Sequence, residues 1–174
     1  MSESDAGRPP VTAQVLETLV ERVKERVYAT ITMLAVLVGL AQNTHTRYST
    51  ATVFIACTAL GLWLATLVAD FQAHRVVHQR LPDRAELRHL LYVTSPLLSS
   101  AAGPLVMIVL SAFGLFHLST ALWIAVGVDI ASLAAWGFVG GRRMGSGVVP
   151  SIVAAVVDAA IGLGVVMVKV VAGH

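Results

Sequence analysis

Apolar residues follow two patterns along this chain, and the change between them falls near residue 27. Over residues 11–26 apolar side chains recur at spacings of three and four, with charged side chains between them. This spacing predicts an amphipathic helix. Beside a membrane span such a helix lies in the lipid interface, and packing against other cytoplasmic helices is the alternative. Residues 1–10 are polar, end in Pro9-Pro10, and are predicted to form a disordered tail.

From residue 27 onward the chain consists of long, nearly continuous apolar runs. A helix of about 20 apolar residues crosses the hydrocarbon layer of a bilayer. We therefore predict an all-α fold, an integral membrane bundle of five transmembrane helices preceded by the N-terminal amphipathic interfacial helix. The predicted spans are 27–46, 48–70, 90–116, 118–141 and 147–169. The first run is the shortest, and four spans remain if it lies on the membrane surface instead.

The basic residues favour five spans and fix the predicted orientation. Ten of the twelve Lys and Arg residues lie before span one, after span two or after span four. The other two are Arg47 and Lys169. Because basic loops stay in the cytoplasm, we predict a multi-pass protein of the plasma (inner) membrane. Its N-terminus is then cytoplasmic and its C-terminus outside.

Composition supports lipid as the main solvent of this chain. Charged residues make up 13% of it and hydrophobic residues 56%, whereas a soluble domain carries roughly 25% charged residues. The net charge of +2 gives no reason to expect a nucleic-acid partner. Cys57 is the only cysteine, which excludes an intrachain disulfide. No phosphate-binding loop, dinucleotide fingerprint, metalloprotease helix or nucleophile elbow occurs, so we predict that the chain is not an enzyme.

Two aspartates interrupt the last two apolar runs. Asp129 lies eleven residues after Leu118, and Asp158 lies eleven residues after Gly147. Because the two spans are antiparallel, this symmetry predicts both carboxyl groups near the bilayer midplane, at the same depth. Two carboxylates there cannot both ionise cheaply, which favours a proton relay or a cation site. Two protonated aspartates that bond neighbouring helices are the alternative.

A second polar cluster ends span two. Asp70, His74 and His78 recur every four residues and so share one helix face. Two histidines at this spacing, with a carboxylate, can bind a divalent metal ion. An interfacial anchor of solvated side chains is the alternative. We assign no resident cofactor, and a divalent metal ion enters only as a transported substrate.

Span three and the last two spans carry further signals. Pro96 and Pro104 free backbone carbonyls within span three, and broken helices are found at transport sites as well as at structural kinks. Small residues recur every four positions at Gly127, Ala131 and Ala135. Such stripes suit a tight hairpin of the last two spans or a dimer interface.

The span pattern and two segments resemble the vacuolar iron transporter family. Residues 65–79 (ATLVADFQAHRVVHQ) are similar to the inner end of that family's second helix, with Asp70 where the family has a glutamate. Residues 137–142 (GFVGGR) and the glycine-rich fifth span are also similar. The resemblance implies five spans, a cytoplasmic N-terminus and a homodimer. The family's acidic insert between spans two and three is missing, so iron is not carried over as the substrate.

These patterns lead to two functional hypotheses. The first is a small transporter or exchanger for a cation, either a divalent metal ion or a proton, with Asp129 and Asp158 as its site. The second is a non-transporting structural or accessory subunit, in which the aspartates bond membrane-protein partners.

Overall fold

The structure, a computed structural model, describes residues 11–43, 45–143 and 147–173. Within these ranges the chain is helical and contains no strand, which confirms the all-α prediction. The predicted tail, residues 1–10, lies outside the described residues. The helices are α1 (Val11–Gln42), α2 (Tyr48–His78), α3 (Arg84–Ser99), α4 (Ala102–Ala112), α5 (Leu118–Arg143) and α6 (Val148–Ala172).

Four stretches of the described chain are long and apolar enough to cross a membrane. They are Tyr48–His78, Arg84–Ala112, Leu118–Arg143 and Val148–Ala172. They correspond to α2, to α3 with α4, to α5 and to α6. Multi-pass character is thus borne out by length and composition, whereas α1, the predicted first span, is not among the four.

α1 continues without interruption from the amphipathic segment into the first apolar run. Its second half is the most deeply buried part of the bundle, since Met33, Leu34, Leu37 and Val38 are all fully buried. The helix ends at Gln42 rather than at residue 46. Beyond that end the Thr46 hydroxyl donates to the Leu40 carbonyl at 2.9 Å, which satisfies a carbonyl in the last turn of the helix.

Two contacts show that α1 runs parallel to α6 in a constant register. Leu34 lies against Gly162, and the Gln42 amide donates to the Val170 carbonyl at 3.4 Å. Both pairs are 128 residues apart in sequence. At the other end of α1 the Arg26 guanidinium lies 5.0 Å from the Trp136 ring centroid, near the end of α5. α1 therefore extends along the bundle beside both α5 and α6.

The third predicted span consists of two helices, because α3 ends at Ser99 and α4 begins at Ala102. The break lies between the two prolines. Pro96 cannot donate to the Tyr92 carbonyl, which instead accepts from the Arg22 guanidinium at 3.0 Å and from the Ser95 hydroxyl at 2.8 Å. The backbone group freed by proline is thus satisfied by two side chains.

α5 and α6 pack closely as a hairpin. Ser151 fills the space beside Gly141, and the Ala154 carbonyl fills the space beside Gly137. These contacts, with the one that Gly137 makes to Asp158, form what we call the α5–α6 seam. Small residues on one helix let the backbones approach. The predicted stripe on α5 behaves differently, because Gly127, Ala131 and Ala135 are exposed on the outside of the hairpin.

Candidate functional site

Asp129 lies in the middle of α5 and faces the break in the third span. A cavity of 300 Å³ separates α4 from α5, and we call it the α4–α5 cleft. Its walls are formed by Ala102, Gly103, Pro104, Val106, Met107, Ala125, Val128 and Asp129. Among the described residues, Asp129 is the one ionisable group in this lining, and its Oδ2 atom is buried without a hydrogen-bond partner from any of them.

The cleft lies at the first turn of α4, since Ala102 and Gly103 are the first two residues of that helix. The proline-induced break and the aspartate, which belong to different predicted spans, are therefore parts of one site.

Asp158 has different surroundings. Its Oδ2 atom occupies the place where a Cβ of Gly137 would stand, within the α5–α6 seam. Gly137 is thus the residue that makes room for this carboxyl group. Asp158 is not among the residues that line the α4–α5 cleft.

The prediction that both aspartates lie at the same depth is wrong. In the hairpin Asp158 is level with Gly137, eight residues from Asp129 along α5. The flanking contact of Gly162 with Leu133 and Ile130 keeps the same register. The two carboxyl groups are therefore separated by roughly 9–12 Å along the bundle axis, at 1.5 Å per residue. The error arose because α5 continues to Arg143 and α6 begins only at Val148, which moves the centre of the turn towards α6.

Asp70, His74 and His78 line one cavity of 300 Å³, as the predicted shared helix face requires. The rings of His74 and His78 lie 4.5 Å apart between centroids. Glu21, Lys24 and Glu25 of α1 form the opposite wall. We call this the α1–α2 cavity. It lies at the end of the bundle that carries Arg80, Arg142 and Arg143, referred to below as the basic end.

The residues from α1 were missed in the sequence analysis. Glu21 and Glu25 are two of the charged residues of the predicted amphipathic helix, and their four-residue spacing places them on one side of α1. Burial raises the pKa of the Glu25 carboxyl, Lys24 lowers it, and the charges of Asp70 and Glu21 raise it further. This cavity therefore collects more acidic groups than α2 alone provides.

His74 stands at the edge of this cavity beside α3. Its Nε2 atom lies 3.5 Å from a Glu86 carboxylate oxygen, which is too long for a good hydrogen bond. Glu86 is held by Arg80 at 2.8 and 2.5 Å and by the Asp83 backbone N–H at 2.8 Å. The loop between α2 and α3 is thus fixed next to the histidines by an ion pair and a capping box.

A metal centre at this cluster stays a prediction. In the part of the chain that the structure describes, no three or more His, Cys, Asp or Glu side chains are grouped closely enough to hold a metal ion. A proton requires no such set, because one carboxyl group is sufficient to bind it.

Comparison with protein-family models, with curated proteins and with solved structures found no match to this chain.

Proposed function

We propose that this protein is a small membrane transporter or exchanger that carries a cation, and that Asp129 binds the cation in transit. The observation that carries the proposal is the buried Oδ2 atom of Asp129, which has no partner in an otherwise apolar cleft. An ionisable group within a membrane is costly, and functional sites are where such groups are retained. An unpartnered carboxyl group in hydrocarbon is neutral only when it holds a proton or a cation.

The geometry favours a proton over a divalent metal ion as the species bound at Asp129. A divalent ion needs several oxygen or nitrogen ligands, and the cleft supplies one carboxyl group. A single carboxyl group can both bind and release a proton, which a carrier requires.

Asp158 and the α1–α2 cavity are further positions on the path of the proton from Asp129 towards the basic end. Asp158 lies between the level of Asp129 and that end, because it is level with Gly137. Glu21, Glu25 and Asp70 give the cavity an excess of acidic groups over Lys24, which attracts cations. Carboxyl groups at different levels along the bundle suit transfer of a proton from one to the next better than joint chelation of one metal ion.

The proposal includes five spans, with α1 as the first, in the plasma (inner) membrane. Its support is the register of α1 beside α6, which keeps the Leu34–Gly162 and Gln42–Val170 pairs at one offset. The distribution of basic residues places the N-terminus in the cytoplasm and the C-terminus outside. The exposed stripe of Gly127, Ala131 and Ala135 supports a homodimer through α5.

The test is proton flux into proteoliposomes that contain the purified full-length protein and a pH-sensitive dye. Asp129→Asn removes the proton-binding group, and we expect flux to fall at least tenfold. Asp83→Asn is the matched control. It makes the same chemical change at the start of α3, where asparagine caps a helix about as well as aspartate, and flux should stay at the wild-type level.

Other outcomes discriminate between the two hypotheses. Flux that persists unchanged in Asp129→Asn would contradict the assignment of Asp129. Wild-type protein that passes neither protons nor divalent metal ions under an imposed gradient would contradict transport altogether and favour the accessory subunit.

A further inference from the structure

Two adjoining cavities lie beside α2 near the basic end, the larger between α2 and α3 and the smaller against Gln72, Arg75 and Val76 of α2. The larger has a volume of 390 Å³ and the smaller 340 Å³. Gln72 and Arg75 line both of them. The rest of the larger cavity is apolar, with walls formed by Leu64, Leu67, Val68, Phe71, Leu87 and Leu90. One continuous groove therefore has an apolar part and a part with a guanidinium group and an amide.

The depth of this groove matches the boundary between hydrocarbon and headgroups. α2 begins at Tyr48, and at 1.5 Å per residue Leu64 lies about 24 Å and Arg75 about 40 Å further along the helix. The hydrocarbon core of a bilayer is about 30 Å thick, and the headgroup layers bring the total to about 40–45 Å. If α2 enters the bilayer at Tyr48, the apolar wall of the larger cavity lies in hydrocarbon and Arg75 lies among the headgroups.

The charges at this groove are unbalanced. Arg75 makes no ion pair with any residue of the described chain, whereas Arg80 is paired with Glu86. No acidic residue of the described chain lines either cavity. Arg84 and Arg88 are also exposed on the adjacent α3. Basic pockets between membrane helices are a recurrent form of site for anionic lipid headgroups.

We propose that the groove between α2 and α3 binds an anionic phospholipid, with an acyl chain along Leu64, Leu67 and Leu90 and the phosphate on Arg75. Gln72 donates a second hydrogen bond to the headgroup. The site is separate from Asp129 and does not depend on transport. A zwitterionic lipid fits the apolar part equally well, but it brings no net negative charge to Arg75.

The test is native mass spectrometry of the full-length protein in detergent, titrated with dioleoyl phosphatidylglycerol or with dioleoyl phosphatidylcholine. The wild-type protein should retain phosphatidylglycerol at least fivefold more than phosphatidylcholine. Arg75→Gln should reduce that ratio to below twofold. Arg143→Gln is the matched control, because it removes the same charge from an exposed position at the same end of the bundle, on α5, and the ratio should not change.

A second variant tests the acyl-chain part of the site. Leu67→Trp fills the groove while leaving Arg75 in place, and it should reduce the retention of both lipids. Soluble glycerol phosphate, which has the headgroup charge but no chain, should not displace the bound lipid. Equal retention of the two lipids by the wild type, or equal losses in Arg75→Gln and Arg143→Gln, would overturn the proposal in favour of general attraction to a basic surface.

Discussion

The aspartates of the last two helices are both partly buried and belong to the same helical hairpin, but one lies in a packed interface and the other in an open cleft. Asp158 lies at the α5–α6 seam, where the absence of a side chain at Gly137 leaves room for its carboxyl group. Asp129 faces the α4–α5 cleft of 300 Å³ and has an oxygen without a partner. A side chain that fits its surroundings closely serves packing first. A side chain that is left unsatisfied beside free volume is the better candidate for binding a ligand.

The close packing of the seam also explains how the hairpin can accommodate the Asp158 carboxyl group, which is costly to bury in apolar surroundings. Its small residues bring the backbones together over the stretch between Gly137 and Gly141, which adds dispersion contacts that lipid cannot replace. The cleft has no comparable packing, because α3 and α4 are separated by the break between Pro96 and Pro104. The molecule thus combines a closely packed hairpin with a cleft whose volume is free to serve a site.

The largest effect should come from Gly137→Leu. Its side chain would collide with the Asp158 carboxyl group and with the Ala154 backbone, so overpacking should lower the free energy of unfolding by about 3 kcal/mol. Gly164→Leu is the control, because Gly164 is exposed on α6 and the space around it is open, and this variant should unfold at or above the wild-type denaturant concentration. Unfolding in mixed detergent, followed by circular dichroism, measures both. Equal losses in the two variants would show that the seam is not tightly packed.

Replacing each aspartate by leucine should change stability in opposite directions. Asp129→Leu removes an unpartnered polar group from an apolar cleft and should raise the free energy of unfolding by about 1–3 kcal/mol. Asp158→Leu puts a larger branched side chain against Gly137 and should lower it by about 1–3 kcal/mol. The same detergent titration gives both values. A change of the same sign at both sites would remove the distinction between seam and cleft.

A smaller, pH-dependent effect is expected at Glu25 in the α1–α2 cavity. Burial raises the pKa of Glu25 above its ordinary value. The folded protein therefore binds this proton more tightly than the unfolded chain. Ionising Glu25 therefore lowers the free energy of unfolding. This loss is absent below the pKa of Glu25 in the unfolded chain and grows as the pH rises through its raised pKa in the folded protein.

The variant Glu25→Gln should accordingly match the wild type in stability near pH 4 and exceed it at pH 8. Because the side chain is largely solvated, the gain should be less than about 1 kcal/mol. Unfolding at a series of pH values measures the difference. A difference between variant and wild type that is independent of pH would contradict the assignment of the effect to Glu25.

The smallest effect should come from replacing Arg22, whose side chain connects α1 to Tyr92 of α3. Its guanidinium lies 3.9 Å from the Tyr92 ring centroid and donates to the Tyr92 carbonyl that Pro96 leaves free. Arg22→Lys should cost about 0.5 kcal/mol of unfolding free energy, as expected for an exposed cation–π contact. A double-mutant cycle with Tyr92→Leu isolates the coupling between the two side chains. A coupling energy of zero would mean that the contact contributes nothing to the stability of the break.

Much of the fold could be predicted because lipid requires helices and long apolar runs reveal them. Each apolar run after residue 48 lies on a described helix, and the prolines of the third run coincide with a break. Helix ends were less predictable. The predicted fourth span ends at residue 141, whereas α5 continues to Arg143, with Gly141 packed against Ser151 inside the seam.

The candidate site could be predicted only in part, because spacing fixes a residue's position along a helix but not its direction. The sequence places Asp129 and Asp158 within apolar helices, yet it could not show that one faces α4 and the other Gly137. An error of two residues in the predicted position of the turn was enough to place Asp129 and Asp158 at the same depth in the prediction. Glu25 was missed because its partners Asp70 and His74 lie on another helix, about 50 residues away in sequence.

The central claim is that Asp129 is the primary proton-binding group and that it is more accessible than Asp158. Its most direct test is reaction of the reconstituted protein with dicyclohexylcarbodiimide, which modifies protonated carboxyl groups in apolar surroundings, followed by peptide mass spectrometry and flux measurement. We predict that Asp129 is modified much faster than Asp158 and that flux falls in proportion to its modification. Equal labelling of both residues, or full flux after complete modification of Asp129, would contradict the account.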